Sequence, residues 1–222
     1  MLLDDAALRQ ALLAFTDAFT DELFDGPHRK IVYPVSRMVT DPERFRDDRD
    51  EPMAKYGIGA VYSRDPFLRP FRCLSDARKE QLLQEFYDPH HRLLEAAVAE
   101  ALAVAGECLL LDAHSFSATP LPYEPEQCPI RPDICLGTLE IHTPAWLSRM
   151  AHDHFTTRGF TVAFNYPYSG SIVPLSHWGD TRVHSLMVEV NRGTYMRPDG
   201  AKSTGFDHTR HTIAEFLDRL DA

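Results

Sequence analysis

The sequence has no apolar run approaching the roughly 18 residues of a membrane-spanning helix. Its start, Met-Leu-Leu-Asp-Asp, lacks the basic residues and apolar core of a signal peptide. Both absences predict a cytoplasmic protein with no membrane anchor. Cysteine is scarce: Cys73, Cys108, Cys128 and Cys135 are the four present, and none are spaced Cys-x-x-Cys. A disulfide between Cys128 and Cys135 is not expected in that compartment, and Cys108, inside an apolar run, reads as a small core residue. Basic residues are outnumbered, with 23 Lys and Arg against 33 Asp and Glu and a net charge of −10. That balance argues against nonspecific binding to nucleic acid or anionic lipid. Also missing are the Gly-x-Ser-x-Gly elbow, the Gly-x-x-x-x-Gly-Lys phosphate loop, the Gly-rich dinucleotide turn and His-Glu-x-x-His.

What is present is ordinary globular composition. The chain has 222 residues, 44% apolar and 25% charged, enough for one substantial core. No repeat or linker interrupts it, so a single domain is expected. Residues 5–24 read as a helix capped by Asp4 or Asp5, with Leu8, Leu12, Phe15, Phe19 and Leu23 in one stripe and Gly26-Pro27 ending it. Lys30–Ser36 is strand-like, with Pro34 suggesting an edge. Residues 40–75 are a long charged loop of the functional or disordered kind. A helix from Ser75 or Asp76 to Phe86 should precede another opened by Asp88-Pro89. The second turns Leu93, Leu94, Ala97, Val98, Ala101 and Leu102 inward and ends at Gly106. Strands are expected at Cys108–Ala113, Ile134–Leu136, Phe160–Asn165 and Ser185–Val190, with helices near 143–158 and 209–220. This alternation implies an α/β fold, a mostly parallel or mixed sheet with helices on both faces.

In open α/β sheets ligands bind beyond the carboxyl ends of strands. Cys108–Leu111 runs into Asp112 and His114, the last strand into Glu189, Asn191 and Arg192, and Lys30–Ser36 toward Arg37 and Asp41. Asp112 and His114, two residues apart, point to one side of an extended chain. Position alone leaves His114 open between a metal ligand tuned by Asp112 and a hydrogen-bonded structural residue. Glu189, within an apolar strand, reads either as a general base of raised pKa or as a salt-bridge partner of Arg192 or Arg37. Asp17 and Asp21, one helical turn apart, share a face that is either solvated or metal-binding. His90-His91 are surface or ligand histidines. Tyr168-Ser169-Gly170-Ser171 is a polar loop able to clasp a substrate or simply turn.

Taken in order, TDAFTDELF (16–24), YPVSRMVTDPERFRDD (33–48), FYDPHH (86–91), LLLDAHSF (109–116), RPDICLGT (131–138), YPYSGSIVP (166–174) and VEVNRGTYM (188–196) resemble the N-formylglutamate amidohydrolase, or deformylase, family. The resemblance implies a three-layer sandwich of the zinc-carboxypeptidase (phosphorylase/hydrolase-like) type. It implies zinc-dependent hydrolysis of the amide bond of an N-acyl amino acid such as N-formyl-L-glutamate. On this resemblance His114 becomes a zinc ligand and Asp112 its orienting partner. Asp17, in preference to Asp21, becomes the acidic ligand, and Glu189 the general base. Arg37, Arg44 and Arg192, with Asn191, would bind a substrate carboxylate, because guanidinium matches it bidentately. Metal would activate water, Glu189 would move the proton, and arginine or metal would stabilise the oxyanion.

One departure matters. Members of the family carry an earlier strand ending in Pro-His-Ser-Gly or Pro-His-Ser-Ser, and this sequence begins past that point. A site short of one histidine ligand is therefore expected. No motif promotes His28, His90 or His91 in its place, and Ala18-Phe19 stand where a Trp-His pair would follow Asp17. Three readings follow: an amidohydrolase acting on a small N-acylated acid, an inactive relative that binds such a ligand or a protein partner, and a metal-independent anion binder using Arg37, Arg44 and Arg192. Self-association is compatible with each.

Overall fold

The computed structural model describes residues 2–220. The chain forms two compact units. Unit 1 is built from the segment up to Thr16, Ile31–Ala97 and Pro120–Gln127; unit 2 takes Asp17–Lys30, Val98–Thr119 and Cys128 onward.

Unit 1 begins with α1 (Asp5–Phe15), where the Asp4 carboxylate accepts from the Ala7 N–H at 2.8 Å. This is ordinary N-capping. Leu8, Leu12 and Phe15 pack with Ile58, Tyr62 and Tyr123. The expected helix over 5–24 stops at Thr16, which is extended and returns its hydroxyl to Leu12 O at 2.7 Å. Lys30–Ser36 forms no strand. Pro34 removes a ladder donor, and a turn closes immediately after it, with Val39 N–H donating to Ser36 O. The long loop through residue 75 is ordered by buried carboxylates. Asp41 accepts from Glu43 N–H, Glu51 from Phe45 and Met53 N–H, and Asp65 from Phe67 and Arg69 N–H. Each places a charge against otherwise unsatisfied backbone donors, which offsets its burial.

Ser75 caps α3 (Asp76–Leu82). A π-turn at Leu83–Tyr87 joins it without a break to α4 (Asp88–Ala105). The wider turn accommodates Pro89, whose ring would clash in a regular helix. Along α4 Leu94 and Val98 are buried, whereas Leu93, expected inward, is exposed. It lies about 100° around the helix from the buried stripe.

Unit 2 holds a four-stranded mixed sheet in the order β1-β4-β2-β3: β1 (Cys108–Phe116), β2 (Ile134–Gly137), β3 (Val162–Phe164) and β4 (Val183–Asn191). β1 runs parallel to β4, β4 antiparallel to β2, and β2 parallel to β3. One face carries Leu109, Leu111, Ala113, Leu186, Val188, Val190, Ile134 and Leu136. It packs on Leu23, Phe24 and the apolar sides of α5 (Ala145–Thr157) and α6 (Phe206–Leu220). At the start of the other face Cys108, Leu110 and Val183 meet Val98, Ala101 and Leu102 of α4. Helices thus flank the sheet on both sides, as the alternation predicted. No helix among the described residues is long and apolar enough to cross a membrane.

Candidate active site

The site grows from the second face of the sheet. Strand alternation puts Leu110, Asp112, His114 and Phe116 on one side of β1. In the β1–β4 register His114 lies opposite Glu189, and in the β4–β2 register Glu189 lies opposite Cys135. Cross-strand partners share a face, so His114, Glu189 and Cys135 form one row across three strands. The row begins where the apolar start of this face gives way to polar side chains.

His114 sits between two carboxylates. Its Nε2 meets Asp112 Oδ1 at 2.8 Å, and its Nδ1 faces Asp17 Oδ2 at 3.5 Å. A carboxylate only accepts, so Nε2 carries the hydrogen toward Asp112. Asp112 is itself held, its Oδ2 accepting from the Ile172 N–H at 3.0 Å. Asp17 arrives from the other side of the chain. Its Oδ1 accepts from the backbone N–H of Ser115 at 2.8 Å and from the Ser115 hydroxyl at 2.9 Å. Arg192 completes the cluster. Its Nε donates to Ser115 Oγ at 3.0 Å, its Nη2 to Ser115 O at 3.2 Å, and Nη2 lies 3.6 Å from Asp17 Oδ1.

The donor set fits a metal ion. In neutral His114 the Nδ1 lone pair would face carboxylate oxygen, an arrangement that calls for a cation or a proton between them. Tetrahedral ligands at zinc distances are roughly 3.3 Å apart, close to the 3.5 Å observed. A ligating histidine also typically gives its other N–H to a carboxylate, which Asp112 supplies.

The other expected residues have the following surroundings. Asp21 lies in the short α2 (Thr20–Leu23) and is exposed. It does not share a helical face with Asp17, because Asp17 precedes that helix and Phe19, with φ of 65°, separates the two. Asn191 is committed to backbone: its amide donates to Pro132 O and its Oδ1 accepts from Gly193 N–H, both at 2.9 Å. Arg37 and Arg44 belong to unit 1. Arg44 faces Asp41 at 3.6 Å and Glu51 at 3.9 Å. Burial works against its charge, but Tyr62, Asp41 and Glu51 outweigh that and hold its pKa above the ordinary arginine range. His90 and His91 stand in a ring cluster of unit 1 with Tyr33 and Tyr87.

Ser115 and Cys135 were given no role by sequence reading, and the polar loop at 168–171, which was, now has a place. Ser115 binds both Asp17 and Arg192, and its place next to His114 was the available signal. Cys135 is fully buried, and its thiol donates to Tyr168 O at 3.2 Å. Burial pushes this thiol up to about 11, with the negative charge of Glu189 adding to the shift. The segment 168–172 lies over the row, because Gly137 leaves room for Gly170 O.

A family model described as N-formylglutamate amidohydrolase matches residues 2–196. The N-formylglutamate deformylase of Pseudomonas aeruginosa is 28% identical over 196 residues, covering 83% of this chain and 72% of that protein. The crystal structure of N-formylglutamate amidohydrolase from Ralstonia eutropha JMP134 superposes with a TM-score of 0.74 at 22% identity, covering 96% of this chain and 84% of the other. A gene product of Agrobacterium tumefaciens superposes with a TM-score of 0.55 at 15% identity, covering 84% and 69%. At these identities the two structural likenesses speak to fold.

Proposed function

Since the chain belongs to the N-formylglutamate amidohydrolase family, we propose that it hydrolyses the amide bond of an N-acyl amino acid such as N-formyl-L-glutamate, releasing formate and the free amino acid. The observation that carries this is the family match, which runs through segments of both units. We take the chain to act as one functional domain for the same reason. The mixed sheet with its polar row across β1, β4 and β2 supports a fold of the zinc-carboxypeptidase kind.

His114 and Asp17 would hold a zinc ion, with Asp112 fixing the imidazole so that Nδ1 presents its lone pair. A zinc ion held there would supply Lewis-acid activation of water and of the acyl carbonyl. Glu189, opposite His114 in register, takes the proton from the attacking water and delivers it to the leaving amine nitrogen. Arg192 contributes positive charge for a substrate carboxylate or for the developing oxyanion. Asn191 keeps the Arg192 turn in shape through its two backbone bonds.

Two variants test this. His114→Ala should abolish both zinc binding, read by calorimetry, and formate release from N-formyl-L-glutamate with zinc in excess. Glu189→Gln should keep the metal while lowering kcat by about 10²–10⁴-fold. Wild-type turnover by Glu189→Gln would exclude the general-base role. A zinc-loaded wild type that binds N-formyl-L-glutamate without releasing formate would replace hydrolysis with ligand binding.

A further inference from the structure

N-formylglutamate carries two carboxylates, and within unit 2 Arg192 supplies a guanidinium for one of them. A second one stands beside the row. Arg131, four residues before Cys135, packs its guanidinium 5.0 Å from the ring centroid of Phe116 and 5.8 Å from that of Tyr168. The two rings meet edge to face at 6.0 Å. Nη1 donates to Ser117 O at 2.9 Å. The guanidinium is therefore stacked on two aromatic faces and tied to the Ser117 carbonyl, which fixes its plane in advance of any ligand.

Its position relates it to the chemistry. Phe116 lies two residues beyond His114 on the same face of β1, about 7 Å along the strand. Tyr168 is the residue whose carbonyl receives the Cys135 thiol, and Cys135 is the register partner of Glu189. Arg131 and Glu189 act on the Cys135 thiol in opposite senses, which places both charges around one buried residue. In an extended N-formylglutamate the formyl carbon and the side-chain carboxylate are separated by about 6 Å on standard bond lengths. A formyl group at His114 and Glu189 would leave that carboxylate near the far side of Phe116.

The geometry points to Arg131 as the residue that recognises the side-chain carboxylate of the substrate and so selects acidic N-acyl amino acids. This rests on the amidohydrolase reading above. Lysine cannot reproduce the role in full, since it lacks the planar fork and the flat stacking surface. A merely structural Arg131, clamping the Ser117 turn, would affect all substrates alike.

The test compares wild type, Arg131→Met and Arg131→Lys on N-formyl-L-glutamate and N-formyl-L-glutamine, with L-glutamate and L-glutamine binding measured by calorimetry. In Arg131→Met the KM for N-formyl-L-glutamate should rise about 10- to 100-fold, the worth of a charge-assisted hydrogen-bonded pair, with a far smaller change for the glutamine compound. Arg131→Lys should fall between. Equal losses on both substrates, or no loss on either, would overturn the role. If wild type releases no formate from either compound, hydrolysis fails, and Arg131 is judged on binding alone. Preference for L-glutamate over L-glutamine that disappears in Arg131→Met sustains it, and a wild type without that preference overturns it. Should Arg131→Met lose its near-ultraviolet circular dichroism, Arg131→Lys alone decides between the outcomes.

Discussion

Gly137 shows how closely the site is packed at the level of single residues. A β-carbon built on it would lie 2.1 Å from Gly170 O and 2.4 Å from Met187 Cε. The Met187 terminus can turn away, but a backbone carbonyl moves only with its segment. Gly137→Ala should therefore cost about 1–3 kcal/mol of stability, the range for overpacking a tight interior, read as a lower urea midpoint at unchanged slope. It should also lower turnover, because the displaced segment carries the Ile172 N–H that holds Asp112. Wild-type stability in this variant would mean that the segment rides over the row loosely. Asp112 and His114 were legible in the sequence because strand alternation alone puts them on one face. Cys135 and Arg131 were not, since their places depend on the β2–β4 register, which no local pattern encodes. Asp17 was chosen over Asp21 by resemblance. The helical spacing that grouped them fails because the Asp17 carboxylate is drawn to the Ser115 N–H.

Among the elements, the stripe Leu8, Leu12, Phe15, Phe19, Leu23 is apolar throughout yet serves two cores. Its first three members pack in unit 1, and its last two in unit 2. Helical periodicity reports that residues are buried, not what they are buried against, so one helix was expected where two form. At Asp88-Pro89 the sequence suggested a break, and the π-turn instead carries the helix through. That turn sets up the ring cluster in which His90 meets Tyr33 at 4.9 Å and His91 meets Tyr87 at 4.2 Å. Burial, with the neighbouring His91 adding, pushes His90 down to about 4, against about 6.5 in an unfolded chain. Between those values the unfolded chain binds more protons, so stability is present above about pH 6.5 and is lost as pH falls toward 4. His90→Phe should flatten that dependence by at most about 2 kcal/mol between pH 7 and 5, measured by urea unfolding at both values. An unchanged pH slope would place the titration on other groups.

Across the whole molecule the chain passes between the two units five times, at residues 16–17, 30–31, 97–98, 119–120 and 127–128. Neither unit is a contiguous piece of sequence, which explains why composition and linker signals predicted one domain. It also makes a short early segment indispensable to a sheet formed much later. Asp17–Lys30 brings Leu23, fully buried, and Phe24, 8% exposed, to the core under β4, α5 and α6. Burying two such side chains is worth about 3–6 kcal/mol together, comparable with the roughly 5–15 kcal/mol that stabilises a typical domain. A fragment spanning 98–222 keeps all four strands, α5 and α6 but loses these two side chains and Asp17. It should retain far-ultraviolet circular dichroism, lack a cooperative thermal transition and bind the dye ANS. A synthetic 17–30 peptide added in excess should restore part of the transition, by the mass action expected of any ligand that binds only the folded form. A sharp melt by the fragment alone would show that the sheet and its two long helices suffice, and that the early segment contributes Asp17 to the site without being needed for the core.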